Sequence, residues 1–113
     1  MALIERDAMI VNPLGMHARP AAEFVKTASK FKSHVQVSKD GISVNGKSIL
    51  GVMMLVAERG ASMHIQTEGE DAELAMDALL ALVAGGFNEM HLTGSPDPLD
   101  DEDDEDGEEE ARA

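Results

Sequence analysis

His34-Val-Gln-Val-Ser38, Lys39-Asp-Gly41 and Ile42-Ser-Val44 form the stretch that decides the fold. Apolar and polar residues alternate on both sides of a short polar link, the period of half-buried strands. Gly41 supplies the positive φ that a tight hairpin turn requires. The reading is two short strands pairing antiparallel, with one face apolar and the other turned to water.

Outward from the hairpin, the same logic places the other elements. Ala2 to Val11 reads as a strand closed by the turn signal Asn12-Pro13-Leu14-Gly15. ARPAAEFVKTASKF, residues 18–31, then repeats apolar residues at helical spacing through Ala21, Phe24, Val25 and Ala28. On the other side, Ser48 to Leu55 suits a short helix capped by Ser48, and Ser62 to Thr67 alternates with Met63 and Ile65 on one face. GEDAELAMDALLALVAGG, residues 69–86, has acids in its first turn, glycines at its end and a stripe through Leu74, Met76, Leu79, Leu80 and Val83. Each helix has a single apolar stripe, so one layer of helices on one layer of sheet buries everything once. The predicted class is α+β, an open-faced two-layer sandwich with a four-stranded antiparallel sheet and three helices on one face.

Composition adds boundaries. Of the net charge of -13, residues 96–113 contribute -10 from eleven acids and one arginine, leaving -3 for the first 95 residues. The chain therefore divides into a domain over residues 1–94 and an acidic, proline-interrupted tail over 95–113, expected to be disordered. There are no cysteines, which excludes disulfides and thiolate metal sites and points to the cytoplasm. Charged residues interrupt the N-terminal stretch and no run reaches the roughly 20 apolar residues of a membrane span. Neither secretion nor membrane insertion is expected. Scattered bases and only three aromatic residues, all Phe, argue against nucleic acid.

The strongest chemistry lies in Gly15-Met16-His17-Ala18-Arg19-Pro20-Ala21-Ala22. A turn delivers an imidazole directly before a helix, whose first N–H groups and positive dipole end make an anion site. Backbone near Ala18 and Arg19 would cradle a phosphate on His17, and the Arg19 side chain adds a fixed cation. Histidine titrates near neutrality, so much of it is unprotonated and nucleophilic at pH 7. Residue types alone are better explained by a histidine that only occupies a turn, with Arg19 pairing a surface acid.

Gly41-Ile-Ser-Val-Asn-Gly46-Lys47-Ser48 also fits the nucleotide-binding P-loop letter for letter. A P-loop needs loop between its glycines and a buried parallel strand before them. Here Ile42, Ser43 and Val44 alternate as a strand, and nucleotide hydrolysis is rejected. His34, His64 and His91 are too far apart in sequence to suggest zinc, and no metal or other cofactor is expected. Met53, Met54 and Met63 read mostly as core filling, with one or two at a docking face.

LGMHARPAAEFVKTASKF, then NGKSILGVMMLV, then EGEDAELAMDALLALV closely resemble, in order and spacing, the HPr family of phosphocarriers of the bacterial phosphotransferase system, including its nitrogen-branch relatives. The resemblance covers about residues 1 to 90, and the family's open-faced sandwich agrees with the layers derived above. It implies a carrier, not a stand-alone catalyst, phosphorylated on His17 through Nδ1, with Arg19 steadying the phosphoryl group. It implies Enzyme I, charged by phosphoenolpyruvate, as donor and Enzyme IIA as acceptor, in sugar uptake or its regulation, docking on an apolar surface that includes Ala22, Leu50 and Met53. Ser48 matches the serine that a dedicated kinase, HPr kinase/phosphorylase, phosphorylates in many members; simple helix capping explains the residue equally well. A monomer is expected. The alternative function is a regulatory module that docks on proteins without relaying phosphate. Relatives that lost carrier activity lost the histidine, whereas His17 is present. The typical family member ends near the last helix, so the acidic tail departs from the pattern, and the ending VAGGFNEM resembles the nitrogen branch.

Overall fold

The computed structural model describes residues 2–90. Seven regular elements run in the order β1 (Ala2–Met9), α1 (Ala18–Ala28), β2 (His34–Lys39), β3 (Ile42–Asn45), α2 (Ile49–Met53), β4 (Ser62–Gly69) and α3 (Ala72–Ala84), followed by a short turn, Gly86–Asn88. The strands form one sheet in the order β1-β4-β2-β3, with every neighbouring pair antiparallel. The expected α+β sandwich of four strands and three helices is the fold. The tail over residues 95–113 and His91 lie outside the described residues.

The hairpin forms as its residues dictate. Lys39 pairs with Ile42, leaving a two-residue loop in which Asp40 and Gly41 both take positive φ, 52° and 83°. Two left-handed residues in succession twist the turn the way the strands twist. β3 itself occupies the span between Gly41 and Gly46, so the P-loop match is part of an antiparallel hairpin.

Register sorts the sheet's two faces. Ala8 pairs with Met63, Val37 with Ile65 and Val35 with Thr67, all buried beneath the helices. The opposite face aligns Glu5, Gln66 and Gln36 in one row and Asp7, His64 and Ser38 in the next. The core between the layers takes Ala21, Phe24 and Ala28 from α1, Val52 from α2, and Met76, Leu79 and Val83 from α3, all at most 1% exposed. Burying an aliphatic or Phe side chain is worth roughly 1.5–3 kcal/mol, which makes this layer contact the main favourable term. Among the described residues, no helix is long and apolar enough to cross a membrane.

Several boundaries and faces differ from the sequence reading. β1 ends at Met9 and α1 at Ala28; beyond Ala28 the chain tightens, with Lys30 and Phe31 N–H donating to Thr27 and Ala28 carbonyls. Leu74 is 66% exposed. The buried stripe of α3 instead runs through Ala72, Ala75, Met76, Leu79 and Val83, and a residue two positions from Ala72 or Met76 falls on the far side of the helix. Met63 is buried as expected, whereas Met53, also expected at a docking face, and Met54, the C-cap of α2, are exposed, and only Val52 of that helix enters the core.

Candidate functional site

The site begins with a stapled turn. Gly15 N–H donates to Asn12 O at 3.1 Å, and Asn12 Nδ2 donates back to Gly15 O at 2.8 Å. Gly15 has φ +71°, and a Cβ there would lie 2.8 Å from Ala57 O. Only glycine allows both the left-handed turn and this approach to the loop that precedes β4. Met16 N–H then donates to Ala57 O at 2.7 Å, fixing the residue next to the histidine.

His17 is the N-cap of α1, with extended backbone at φ -93°, ψ -169°, and its side chain makes no capping bond. The first rung of the helix is Ala21 N–H to His17 O at 3.0 Å. The N–H groups of Ala18 and Arg19 precede that rung, and Pro20 has none to lose. The imidazole is therefore released from capping and set beside the positive end of an eleven-residue helix.

The ring is not loose. His17 Nε2 lies 3.1 Å from Oε1 of Glu89, a residue the sequence reading did not single out. The His17 side chain is 37% exposed, whereas that of Glu89 is fully buried. The same Oε1 accepts a hydrogen bond from Asn12 Nδ2 at 3.1 Å, and Oε2 lies 3.8 Å from Arg19 Nε. That last separation is an ion pair without a hydrogen bond; Oε2 and Asn12 Oδ1 have no hydrogen-bond partner among the described residues. Asn12 thus joins the turn before His17 to the carboxylate behind it. Arg19, half exposed, stands on the first turn beside the ring.

Glu89 reaches this place through a distorted turn. After α3, Gly86, Phe87 and Asn88 all take left-handed backbone, with φ 66°, 55° and 62°. A bulky residue such as Phe87 adopts that conformation at a cost of about 1–2 kcal/mol. The side chain of Phe87 is buried, which anchors the turn.

The remaining predicted site residues are spread over α1 and α2, which pack together. Ser48 caps α2: its Oγ accepts from Gly51 N–H at 3.0 Å. Leu50 is 71% exposed, Met53 is partly exposed, and Ala22 is half-buried on α1. Leu50 and Met53, with Met54 and Val56 just after α2, leave apolar side chains in solvent on the segment that packs next to the helix that His17 begins. Among the described residues, no group of three or more His, Cys, Asp or Glu side chains is arranged to hold a metal ion.

Fold and site together define an open-faced α+β sandwich that presents an imidazole at a helix N-terminus beside exposed apolar side chains. Residues 4–85 match the family described as the PTS HPr component phosphorylation site, and the chain belongs to this HPr family of phosphocarriers of the phosphotransferase system. It is 47% identical over 87 residues to the phosphocarrier protein HPr of Cupriavidus necator, covering 77% of this chain and 98% of that protein. Among solved structures it is similar to HPr-C-His from Thermoanaerobacter tengcongensis, with TM-score 0.74 and 46% identity over 76% of this chain and 97% of that one. An HPr dimer from the same organism matches with TM-score 0.61 and 49% identity, over 69% of this chain and 90% of that one.

Proposed function

We propose that His17 is the phosphoryl acceptor and donor of this chain, receiving the group from Enzyme I and passing it to an Enzyme IIA in the cytoplasm. The observation that carries this reading is the imidazole itself: it is held at Nε2 by a buried carboxylate, stands at a helix N-terminus, and is more than one-third exposed. Phosphoryl transfer needs little covalent help from a scaffold, only a positioned nucleophile and neutralised charge. The helix end at Ala18 and Arg19, with the Arg19 guanidinium, supplies the neutralisation. The apolar side chains of Ala22, Leu50 and Met53 offer the docking face on which donor and acceptor proteins alternate. Ser48 caps α2 in the unmodified chain, and phosphorylation by a kinase would place about two negative charges at the edge of that face. The 1–94 domain would act as a monomer, since each partner must reach the same histidine.

Intact-mass analysis after incubation with Enzyme I, magnesium and phosphoenolpyruvate tests the reading. The expected result is an acid-labile gain of about 80 mass units, one phosphoryl group, that is absent from His17→Ala. A folded native chain that gains nothing beside an active donor would instead be a docking module.

A further inference from the structure

Glu89 is fully buried; its charge faces Arg19 Nε at 3.8 Å across an ion pair without a hydrogen bond, and few hydrogen bonds reach it. Oε1 faces Asn12 Nδ2 and His17 Nε2, each at 3.1 Å, and Oε2 has no hydrogen bond among the described residues. A carboxylate taken out of water with so few donors is a liability to the fold. The chain nonetheless bends through three consecutive left-handed residues to bring it in. Such strain persists where a function depends on the geometry it produces.

We propose that Glu89 is a positioning residue for phosphoryl transfer: it accepts the Nε2–H of the His17 ring and thereby leaves Nδ1 as the nitrogen that takes the phosphate. The inference rests on His17 being the phosphorylated residue. Asn12 fixes the carboxylate, and its own orientation is settled by two acceptors, Gly15 O and Glu89 Oε1, which both require the amide N–H₂ end. The carboxylate selects a ring tautomer just as a buried acid does behind a catalytic or metal-bound histidine.

The step balances without a further reactant. The Nδ1 lone pair forms the N–P bond, and the bond from phosphorus to the donor's leaving atom breaks with its electron pair remaining on the donor. The hydrogen stays on Nε2, so the ring becomes a positively charged phosphoimidazolium facing Glu89. When the phosphate leaves, the pair returns to Nδ1 and the ring is neutral again.

Chemical phosphorylation of the full chain with phosphoramidate separates this inference from the carrier reading, because no protein donor is involved. NMR then reports which ring nitrogen carries phosphorus. The native chain is expected to give the Nδ1 product, and Glu89→Met, which removes the acceptor at similar size, to give a mixture in which the Nε2 product rises at least ten-fold. Glu89→Gln retains an acceptor oxygen and should restore Nδ1 selectivity. A folded Glu89→Met that remains exclusively Nδ1-phosphorylated overturns the proposal. Should that variant not fold, the native protein still decides: a slowly exchanging His17 Nε2–H signal close to Glu89 is expected, and a ring protonated at Nδ1 with bare Nε2 sinks the idea. A chain that shows Glu89-dependent Nδ1 chemistry but takes nothing from Enzyme I retains this inference and loses the carrier function.

Discussion

The carboxylate of Asp71, at the head of α3, is bonded to the entry of β2: Oδ1 accepts from Ser33 N–H at 2.9 Å and from Ser33 Oγ at 2.5 Å, and Oδ2 accepts from Lys32 N–H at 2.9 Å. It makes no side-chain cap to its own helix. One residue thereby ties the α1–β2 connection to the helix that carries Glu89 toward His17. These bonds, led by the Ser33 hydroxyl and then the Lys32 N–H, hold the Asp71 carboxyl below its ordinary value of 3.8.

Asp71→Ala is therefore expected to lower Tm at pH 7. A depressed pKa in the folded state gives stabilisation that is present above the ordinary value and lost as pH falls through the folded one. The Tm gap between native and variant should be full at pH 7 and close as pH falls below about 4. A gap that stays constant across that range would mean that Asp71 acts without its charge.

Ser48→Ala should cost about 1 kcal/mol, read from urea unfolding, because the Oγ that accepts from Gly51 N–H is the side-chain cap of a five-residue helix. Ser48→Asp keeps an acceptor at the N-cap and should stay within about 0.5 kcal/mol of native. If both variants lose the same amount, the hydroxyl is needed for something other than capping.

Much of this fold was legible because its cues are local. Lys39-Asp40-Gly41 announced the hairpin, and Met63 and Ile65 announced the buried face of β4. The sheet order was not legible: β4 enters between β1 and β2, and alternation specifies a strand's face but not its neighbour. Met54 and Leu74 are exposed where core positions were expected, because apolar type is a weak guide to burial on a surface helix. His17, Arg19 and Ser48 stood out by motif. Glu89 did not, since a lone acid beyond a helix end reads as solvent-exposed, and its burial depends on a left-handed turn that periodicity cannot reveal.

Leu50→Ser separates docking from folding. The side chain is 71% exposed, so the change should alter stability by less than about 0.5 kcal/mol. Burial of a leucine against a partner is worth roughly 1.5–3 kcal/mol, so the KM of Enzyme I for this chain as phosphoryl acceptor should rise at least about ten-fold, with kcat little changed. Unchanged KM would remove Leu50 from the docking face.

His64 makes the open face of the sheet responsive to pH. Its Nδ1 lies 2.8 Å from Asp7 Oδ1 and its Nε2 2.8 Å from Glu5 Oε1, while Gln66 Nε2 donates to the same Glu5 oxygen at 3.1 Å. Both ring nitrogens can donate to carboxylates only when the ring is charged. The bond to Asp7, and then that to Glu5, raises the His64 pKa above its ordinary 6.5, while His64 and then Gln66 lower that of Glu5. The two carboxylates approach opposite sides of the ring and so share a proton-bearing group rather than a metal. A raised folded-state pKa gives stabilisation that is complete below 6.5 and lost as pH rises through the folded value. His64→Gln should accordingly lower Tm at pH 6 and have little effect at pH 9, with the pH 6 difference reduced by salt because all three groups are exposed. An NMR titration of His64 with its midpoint at or below the ordinary value would mean that the two carboxylates do not hold the ring in solution.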